Sequence, residues 1–236
     1  MSTKIVSFDI GIKNLAYCII NKEDKKIIDW GIINIVESFI EKLPKCVSSR
    51  KGKICNKLAI NYIKTEINYK INYCDNKFCQ NIMRTNYSEK KIRKIKKFKT
   101  KSVPLIDIGK LLFEKLKEKK IFLECNQVII ENQPVLKNPT MKSIQMMVYS
   151  FFLLNQISNV KLFNPSRKLD IYDGPEVECN LKNDYNKRKF LSIKYTEYLL
   201  RKSNQCDKFL NLFENSSKKD DLSDCYLQCL TYINKT

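Results

Sequence analysis

Three short apolar runs at the start of the chain predict β-strands. They span Lys4–Ile10, Leu15–Asn21 and Lys26–Ile35 and are rich in β-branched side chains. The connections GIKN and NKEDK contain the glycine, asparagine and charged residues that are typical of turns. We therefore expect an antiparallel meander, with Trp30 packed in the core.

Helical and strand patterns alternate after Pro104. LIDIGKLLFEKLKEKK has apolar residues at helical spacing, and VIIE, which ends at Glu131, predicts a short buried strand. A helix over Met141–Asn155, a strand over Val160–Phe163 and the helical runs YNKRKFLSIKYTEYLLRK and DDLSDCYLQCLTYI follow. This order predicts an α/β fold, and it resembles the ribonuclease H-like layout of a mixed β-sheet flanked by α-helices.

Residues 36–103 interrupt this pattern. The stretch is enriched in Cys and Lys, and its periodicity is weak. We interpret it as a Cys/Lys-rich insertion within a single domain that spans residues 1–236. Near its end, Glu89–Lys101 has eight basic residues against one acid, with an apolar residue at every third position. This favours a basic helix or arm, and a disordered, solvated charge run is the alternative.

Charge and composition narrow the choice of partner and chemistry. The chain has 44 Lys and Arg against 25 Asp and Glu, a net charge of +19, which predicts salt-dependent attraction to phosphate backbones. A basic protein from a Lys- and Asn-biased genome is the alternative. The absence of histidine excludes histidine bases, Ser-His and Cys-His catalysis, and histidine-ligated metals.

Scattered cysteines and the absence of a signal-peptide pattern favour a reducing, intracellular setting. The apolar stretch IQMMVYSFFLL is too short to span a bilayer, so we expect no membrane partner.

Acidic residues stand where apolar segments begin or end. Asp9 and Glu131 close two predicted strands that we expect to lie side by side, and Asp221 and Asp224 share one face at the start of the last helix. Buried carboxylates need cations to offset their desolvation. We therefore predict a metal site, with Asp220 as a helix-capping residue.

Four carboxylates suit Mg²⁺, for which Mn²⁺ can substitute, and two such ions about 4 Å apart can promote phosphodiester hydrolysis. In the alternative interpretation these acids are ordinary capping, helix-start and ion-pairing residues.

The motifs FDIGIKNLAY, VIIENQPVLKNPTMKSIQMMVYSFF, VKLFNPSRKL and KKDDLSDCYLQCL resemble those of RuvC-type Holliday junction resolvases, especially those of poxviruses and other large DNA viruses. The resemblance implies a homodimeric endonuclease that nicks four-way DNA junctions symmetrically, with two Mg²⁺ ions per site held by Asp9, Glu131, Asp221 and Asp224. It also implies action during viral-type DNA recombination or replication, in the host cytoplasm or nucleus. Met141–Asn155 would form the dimer interface; its second apolar face being core is the alternative.

Several residues beside the acids are candidate DNA contacts. Lys13, Lys218 and Lys219 could meet phosphates, although each also suits a solvated surface position. Asn132 and Gln133 follow Glu131 and are candidates for orienting it or touching DNA, while turn hydrogen bonding is the alternative for Asn132. Lys137 and Lys142 of the same motif complete the predicted set.

The insertion contains Cys46, Cys55, Cys74 and Cys79, in the contexts CVSSRKGKIC and YCDNKFC. Four thiolates are suitable ligands for a structural Zn²⁺, which would stabilise a polar, Lys-rich segment. Free buried thiols are the alternative.

Three other functions compete with junction resolution. DIGIKN also resembles the phosphate-binding turn of actin-like or sugar-kinase-like phosphotransferases, but the chain has five glycines and none of them are paired. A catalytically idle DNA-binding module would not require the complete acidic set. A nuclease acting on flaps, forks or RNA–DNA hybrids would use the same chemistry on another substrate.

Overall fold

The computed structural model describes residues 3–136 and 138–235. The chain separates into two compact units. We call residues 1–35 and 104–236 the sheet unit and residues 36–103 the insertion unit. Lys137, one of the predicted DNA contacts, lies outside the described residues.

The strands and helices have the following bounds. The strands are β1 (Lys4–Asp9), β2 (Leu15–Asn21), β3 (Ile27–Ile33), β4 (Ser49–Arg50), β5 (Lys53–Ile54), β6 (Asn61–Lys64), β7 (Lys70–Tyr73), β8 (Arg93–Lys94), β9 (Gln127–Glu131) and β10 (Val160–Phe163). The α-helices are α1 (Glu37–Glu41), α2 (Lys77–Asn86), α3 (Leu105–Glu118), α4 (Pro139–Leu154), α5 (Asp184–Lys202), α6 (Asp207–Asn215) and α7 (Lys219–Ile233). Short 3₁₀ segments cover Thr100–Ser102, Lys120–Glu124 and Pro165–Ile171.

The sheet unit is built on a five-stranded mixed sheet in the order β10-β9-β1-β2-β3. β1, β2 and β3 pair antiparallel, as the turn-rich connections predicted. β9 pairs parallel with both β1 and β10. The predicted α/β fold, a mixed sheet flanked by helices, is therefore confirmed. The short helix α6 was missed.

Helix α7 packs on one face of this sheet. Ile5 of β1 and Ile129 of β9 belong to the same core cluster as the buried face of α7. Gln228 of α7 donates hydrogen bonds to Ser7 Oγ (2.9 Å) and to the Phe8 carbonyl (3.3 Å), which fixes the helix against the end of β1. Trp30 is buried and stacks on Phe213, as expected for a core residue.

The opposite face of the sheet is covered by aromatic and aliphatic residues. Phe8 contacts the rings of Phe122 and Phe152 at centroid distances of 5.3 and 5.7 Å. Helix α3 packs against α4, and Gly109 permits this approach because a Cβ there would lie 3.2 Å from the Met147 sulfur. The helix prediction after Pro104 is confirmed.

Helix α4 has one buried and one exposed apolar face. Ile144, Val148 and Phe152 are buried, whereas Leu153 and Leu154 are 50% and 76% exposed. The second apolar face is therefore not core in this chain, and its predicted use at a dimer interface stays a prediction. Within the described residues, no helix combines the length and the apolarity needed to cross a bilayer.

The insertion unit contains two small sheets and helix α2. β4 and β5 form a hairpin, and β6 pairs antiparallel with β7 on one side and with β8 on the other. The basic run Glu89–Lys101 contains the two-residue strand β8 and the start of a 3₁₀ segment but no α-helix. Of the predicted basic helix or arm, the helix is therefore wrong. Pairing of β8 with β6 satisfies backbone groups that a helix would otherwise pair internally.

Candidate active site

Asp9 and Glu131 lie at the carboxyl ends of adjacent parallel strands. Phe8 of β1 is in register with Ile130 of β9, so the residues that follow them emerge side by side. Side chains alternate between the faces of a strand. Since Ile5 and Ile129 face α7, Asp9 and Glu131 are placed on the α7 face as well.

Helix α7 adds two more carboxylates. Asp221 and Asp224 are three residues apart in its first turns, and both line a cavity of about 380 Å³ together with Asp9 and Glu131. The structure therefore brings the four predicted acids around one cavity. Gly11 contributes to this arrangement, because a Cβ there would lie 2.5 Å from the Asn14 carbonyl oxygen in the tight turn after β1.

Three of these carboxyl groups are electrostatically coupled. Burial raises the pKa of Asp9, and a hydrogen bond with Glu131 together with the charges of Glu131 and Asp224 raises it further. Burial and the Glu131 charge also raise the pKa of Asp224. Carboxylates crowded in this way favour protons or cations between them.

Lys168 is a basic residue of this cavity that the sequence did not single out. Its ammonium group forms an ion pair with Asp224, and both side chains are mostly buried. Burial alone would lower the pKa of Lys168, but the charges of Asp224, Asp9 and Glu131 raise it above its ordinary value. Lys168 lies in the 3₁₀ segment after β10 and within the quoted motif VKLFNPSRKL, which was the available signal.

Asp220 is not a helix cap, contrary to the prediction. The N-cap of α7 is Lys218, and no side chain caps this end. Asp220 instead accepts from Lys189 of α5 at 2.5 Å, and this contact holds the pKa of Asp220 below its usual value although burial opposes it. Burial and the neighbouring charge of Asp220 raise the pKa of Asp221 to about 6.

Two acidic oxygens of the cavity have unused hydrogen-bonding capacity. Asp221 Oδ2 and Asp224 Oδ1 are buried without a hydrogen-bond partner among the described residues. A buried carboxylate oxygen without a partner costs free energy unless a cation or donor reaches it. The donor set of four carboxylates, two with unpaired oxygens, fits hard divalent cations such as Mg²⁺ or Mn²⁺.

Gln133 holds the Glu131 carboxylate through a short network. Its amide donates to Glu131 Oε2 at 2.8 Å, while its backbone N–H donates to Gln145 Oε1 at 2.8 Å. Lys142 donates to Asn132 Oδ1 (2.9 Å) and to Gln145 Oε1 (3.2 Å). Gln133 therefore orients Glu131. Asn132 and Lys142 are hydrogen-bonded to each other.

The remaining predicted lysines differ in their positions. Lys218 is exposed, and its charge acts to lower the pKa of Asp221, which places it near the acids. Lys219 lies 5.7 Å from the centre of the Phe213 ring. Lys13 is exposed in the turn after β1. The lining of the cavity includes none of these three among its described residues, and their DNA contacts stay predictions.

Other polar residues line the cavity without having been predicted. They come from the segment after β10 and from the first turns of α5: Asn164, Ser166, Tyr185, Arg188 and Lys189. The basic pair RK in NKRKFL was the only signal for the α5 members. These residues place cationic and hydroxyl groups opposite the acids.

The cysteines of the insertion unit form a second candidate metal centre. The sulfur atoms of Cys46, Cys55, Cys74 and Cys79 all lie within 4.8 Å of one another, and those of Cys55 and Cys74 are 3.8 Å apart. Cys46, Cys74 and Cys79 are buried. Burial would raise the pKa of Cys46, but hydrogen bonds from the backbone and side chains of Cys74 and Ser48 outweigh it and lower the pKa to about 7. The four cysteines thus form a group that could hold a metal ion.

Comparisons with known proteins identify relatives of this chain. No protein-family model matches it. The uncharacterized protein L451 of Acanthamoeba polyphaga mimivirus is 31% identical over 313 aligned positions, which cover 98% of this chain and 74% of the relative. This chain belongs to the family of L451.

Comparison with solved structures shows which fold this chain has. The yeast mitochondrial Holliday junction resolvase Ydc2 superposes with a TM-score of 0.51 at 16% identity, over 98% of this chain and 79% of Ydc2. Fowlpox virus resolvase, solved with substrate Holliday junction DNA, gives a TM-score of 0.49 at 16% identity over 99% of this chain and 98% of that chain. The superposition on Ydc2 confirms the resemblance to RuvC-type resolvases in the fold.

Proposed function

We propose that this protein is a divalent-metal-dependent endonuclease that resolves four-way DNA junctions by paired symmetric nicks. The observation that carries the proposal is the cavity in which Asp9, Glu131, Asp221 and Asp224 converge. The resolvase fold and the net charge of +19 support it, because a nucleic acid substrate is a polyanion.

The four carboxylates would hold two Mg²⁺ ions, or Mn²⁺ in their place. When bound, such ions lower the pKa of attacking water and neutralise charge on the phosphodiester. The unpaired oxygens of Asp221 and Asp224 support this assignment. Gln133 fixes the orientation of Glu131, so that this ligand needs little rearrangement.

Basic residues of the cavity would bind the scissile phosphate. Arg188 and Lys189 line the side supplied by α5, and Lys168 stands among the acids. An arginine can hold two phosphate oxygens at once, and a lysine placed beside them stabilises developing negative charge. Together with Lys13, Lys218 and Lys219, these cations would guide the backbone toward the carboxylates.

Two symmetric nicks require two active sites, and we propose that a twofold homodimer supplies them. Exposed apolar residues of α3 and α4 support this. Ile106 is 66% exposed and Leu154 is 76% exposed, and a hollow of about 480 Å³ lies between the helices beside Met146 and Met147. Leu154→Lys should shift the protein from dimer toward monomer in sedimentation, while Lys208→Ala on α6 should leave the dimer intact.

The cysteine cluster suits a different metal ion from the carboxylate cavity. Four thiolates suit zinc, which binds sulfur in tetrahedral sites at about 2.3 Å. Sulfur atoms at that distance would be about 3.8 Å apart, and the measured Cys55–Cys74 separation of 3.8 Å supports a structural Zn²⁺.

The relative in a mimivirus and the ten free cysteines support action inside an infected host cell, at sites of viral DNA replication or in the nucleus. There, branched intermediates of recombination would be the substrate.

The decisive substrate experiment compares initial rates on a four-way junction, a fork, an RNA–DNA hybrid and a linear duplex in Mg²⁺. We expect the junction to be cut fastest, with nicks at symmetric positions on two opposing strands. Faster cleavage of forks or hybrids would assign the same chemistry to another branched or hybrid substrate. Equal rates on junction and linear duplex would overturn junction resolution.

A further inference from the structure

The positive charge of the chain is concentrated in the insertion unit. Residues 36–103 contain 18 Lys and Arg against five Asp and Glu, whereas the remaining residues contain 26 against 20. The insertion unit thus holds +13 of the net charge of +19 in 68 residues. Five acids cannot neutralise 18 cations, so most of this charge is available to a partner.

A hairpin between two of the cysteines presents part of this charge. β4 and β5 are joined by a tight turn over Arg50–Lys53, in which Lys51 has φ of 48° and Gly52 has φ of 77°. Positive φ at both central residues is typical of the turn that matches the twist of a hairpin. Arg50, Lys51 and Lys53 are all exposed, so the tip displays three cations in four residues.

The cysteine cluster fixes the base of this hairpin. Cys46 precedes β4 and Cys55 directly follows β5, so both ends of the hairpin reach the cluster. Cys74 follows β7, and Cys79 lies in the first turn of α2. Next to Cys79, the Phe78 ring lies 5.1 Å from the Arg50 guanidinium. A metal ion at the cluster would therefore hold the basic tip rigidly against α2.

A second group of cations lies along the edge of the other small sheet. β8 pairs with β6, and Ile95 N–H donates to the Ile60 carbonyl at 2.8 Å. Arg93 and Lys94 of β8 are exposed, and Lys96 and Lys97 after it are exposed as well. The backbone pairing gives this basic run a defined position within the insertion unit.

From these observations we propose that the insertion unit is a metal-stabilised module that binds the phosphate backbone of duplex nucleic acid through the Arg50–Lys53 tip and the β8 edge. The ligand class follows from the charge, because dense, exposed cations on ordered strands attract the polyanionic backbone of a nucleic acid. The Arg50 guanidinium lies 5.1 Å from the centre of the Phe78 ring, which is 39% exposed, so cationic charge also lies beside the aromatic ring at this hairpin. This proposal does not depend on cleavage.

The test measures binding of the full-length protein to a linear DNA duplex, without divalent cations, over a series of salt concentrations. Lys51→Ala with Lys53→Ala should weaken binding about tenfold and lower the salt dependence by about two phosphate contacts. The matched control is Lys117→Ala with Lys120→Ala. Both lysines are exposed near the carboxyl end of α3, which precedes the start of β9 and so lies opposite the acids.

Zinc content and a metal-free variant complete the test. The Lys51/Lys53 variant should keep its zinc, and Cys74→Ser, which removes a ligand, should lose both zinc and the same share of duplex binding. Equal weakening in the Lys117/Lys120 control, or unchanged binding in the Lys51/Lys53 variant, would overturn the proposal.

Parallel titrations with RNA duplex and heparin distinguish the possible sources of phosphate or sulfate. A preference for DNA duplex or RNA duplex over heparin supports the module, whereas tightest binding to heparin would indicate an unspecific polyanion surface and overturn it. Junction cleavage by the same variants is scored separately. A protein that binds duplex through the tip but cuts no junction retains this proposal and refutes the proposed cleavage.

Discussion

Lys168 and Asp224 form a largely buried ion pair inside the carboxylate cavity, with 14% and 19% of their side chains exposed. Removing one partner of such a pair leaves an uncompensated charge. We expect Lys168→Ala to lower the free energy of unfolding of the metal-free protein by about 3 kcal/mol, as measured by urea denaturation.

The matched control is Lys235→Ala. Lys235 lies 3.3 Å from Asp170 in a pair whose side chains are 44% and 51% exposed. Exposed pairs contribute at most about 1 kcal/mol, so this variant should be almost as stable as the parent. Equal losses of unfolding free energy in the two variants would show that burial in the cavity does not strengthen the Lys168–Asp224 pair.

The raised pKa of Asp221 predicts that metal binding depends on pH. The pKa of Asp221 is raised from 3.8 to about 6 in the folded protein, so the folded state holds this proton more tightly than the unfolded state does. The resulting stabilisation is fully present below the unfolded pKa and is lost as pH rises through about 6. Divalent cations bind the ionised carboxylate. The rise in Tm caused by Mg²⁺ should therefore be larger at about pH 7.5 than at about pH 5.

Asp221→Asn removes this titrating group and should reduce the difference between the two pH values. Identical Mg²⁺-induced shifts at both pH values in the parent protein would show that the carboxylates of the cavity do not bind the ion.

Gln145 holds the backbone of Gln133, the residue that orients Glu131. Its side chain is fully buried and accepts hydrogen bonds from the Gln133 backbone N–H and from Lys142. Gln145→Met keeps the volume but leaves a donor unpaired, which should cost about 1–3 kcal/mol in urea unfolding and slow junction cleavage.

Gln80→Met provides the comparison, since its amide donates to the Asp75 carbonyl at an exposed site. That variant should unfold almost as the parent does. Unchanged stability and cleavage in Gln145→Met would show that this hydrogen-bond network does not position Glu131.

The cysteine cluster predicts about one zinc per chain by elemental analysis after expression with sufficient metal. Cys79→Ser should abolish bound zinc and lower the Tm, because metal binding and folding of a small polar unit are coupled. Cys206→Ser is the control, since Cys206 is exposed and lies outside the cluster. Zinc-free parent protein, or zinc retained in Cys79→Ser, would contradict the site.

The local sequence pattern was sufficient to predict most strands and helices of the sheet unit. β1, β2 and β3 follow from β-branched runs bounded by turns, and the acids were found because a carboxylate at the end of a buried strand is unusual. α6 was missed although Phe209 and Phe213, four residues apart, share its buried face. The run is short and has few other helix signals.

Long-range contacts explain why some residues of the site could not be predicted from the sequence. Lys168 reaches Asp224 from a 3₁₀ segment 56 positions earlier in the chain, and no local pattern marks it as buried. The capping role expected of Asp220 failed for a similar reason, because Lys189 on α5 competes successfully for its carboxylate. Convergence of distant elements on one cavity is a property of the fold.

Cleavage of a four-way junction by Glu131→Gln, beside the matched variant Glu124→Gln, tests directly whether the carboxylate cavity is the active site. Glu124 pairs with Lys4 at a site where its side chain is 57% exposed, away from the cavity acids. We predict that Glu131→Gln lowers the cleavage rate at least about a hundredfold while junction binding and Tm persist, and that Glu124→Gln cuts at the parental rate. Parental cleavage by a folded Glu131→Gln protein would contradict the assignment of the carboxylate cavity as the active site.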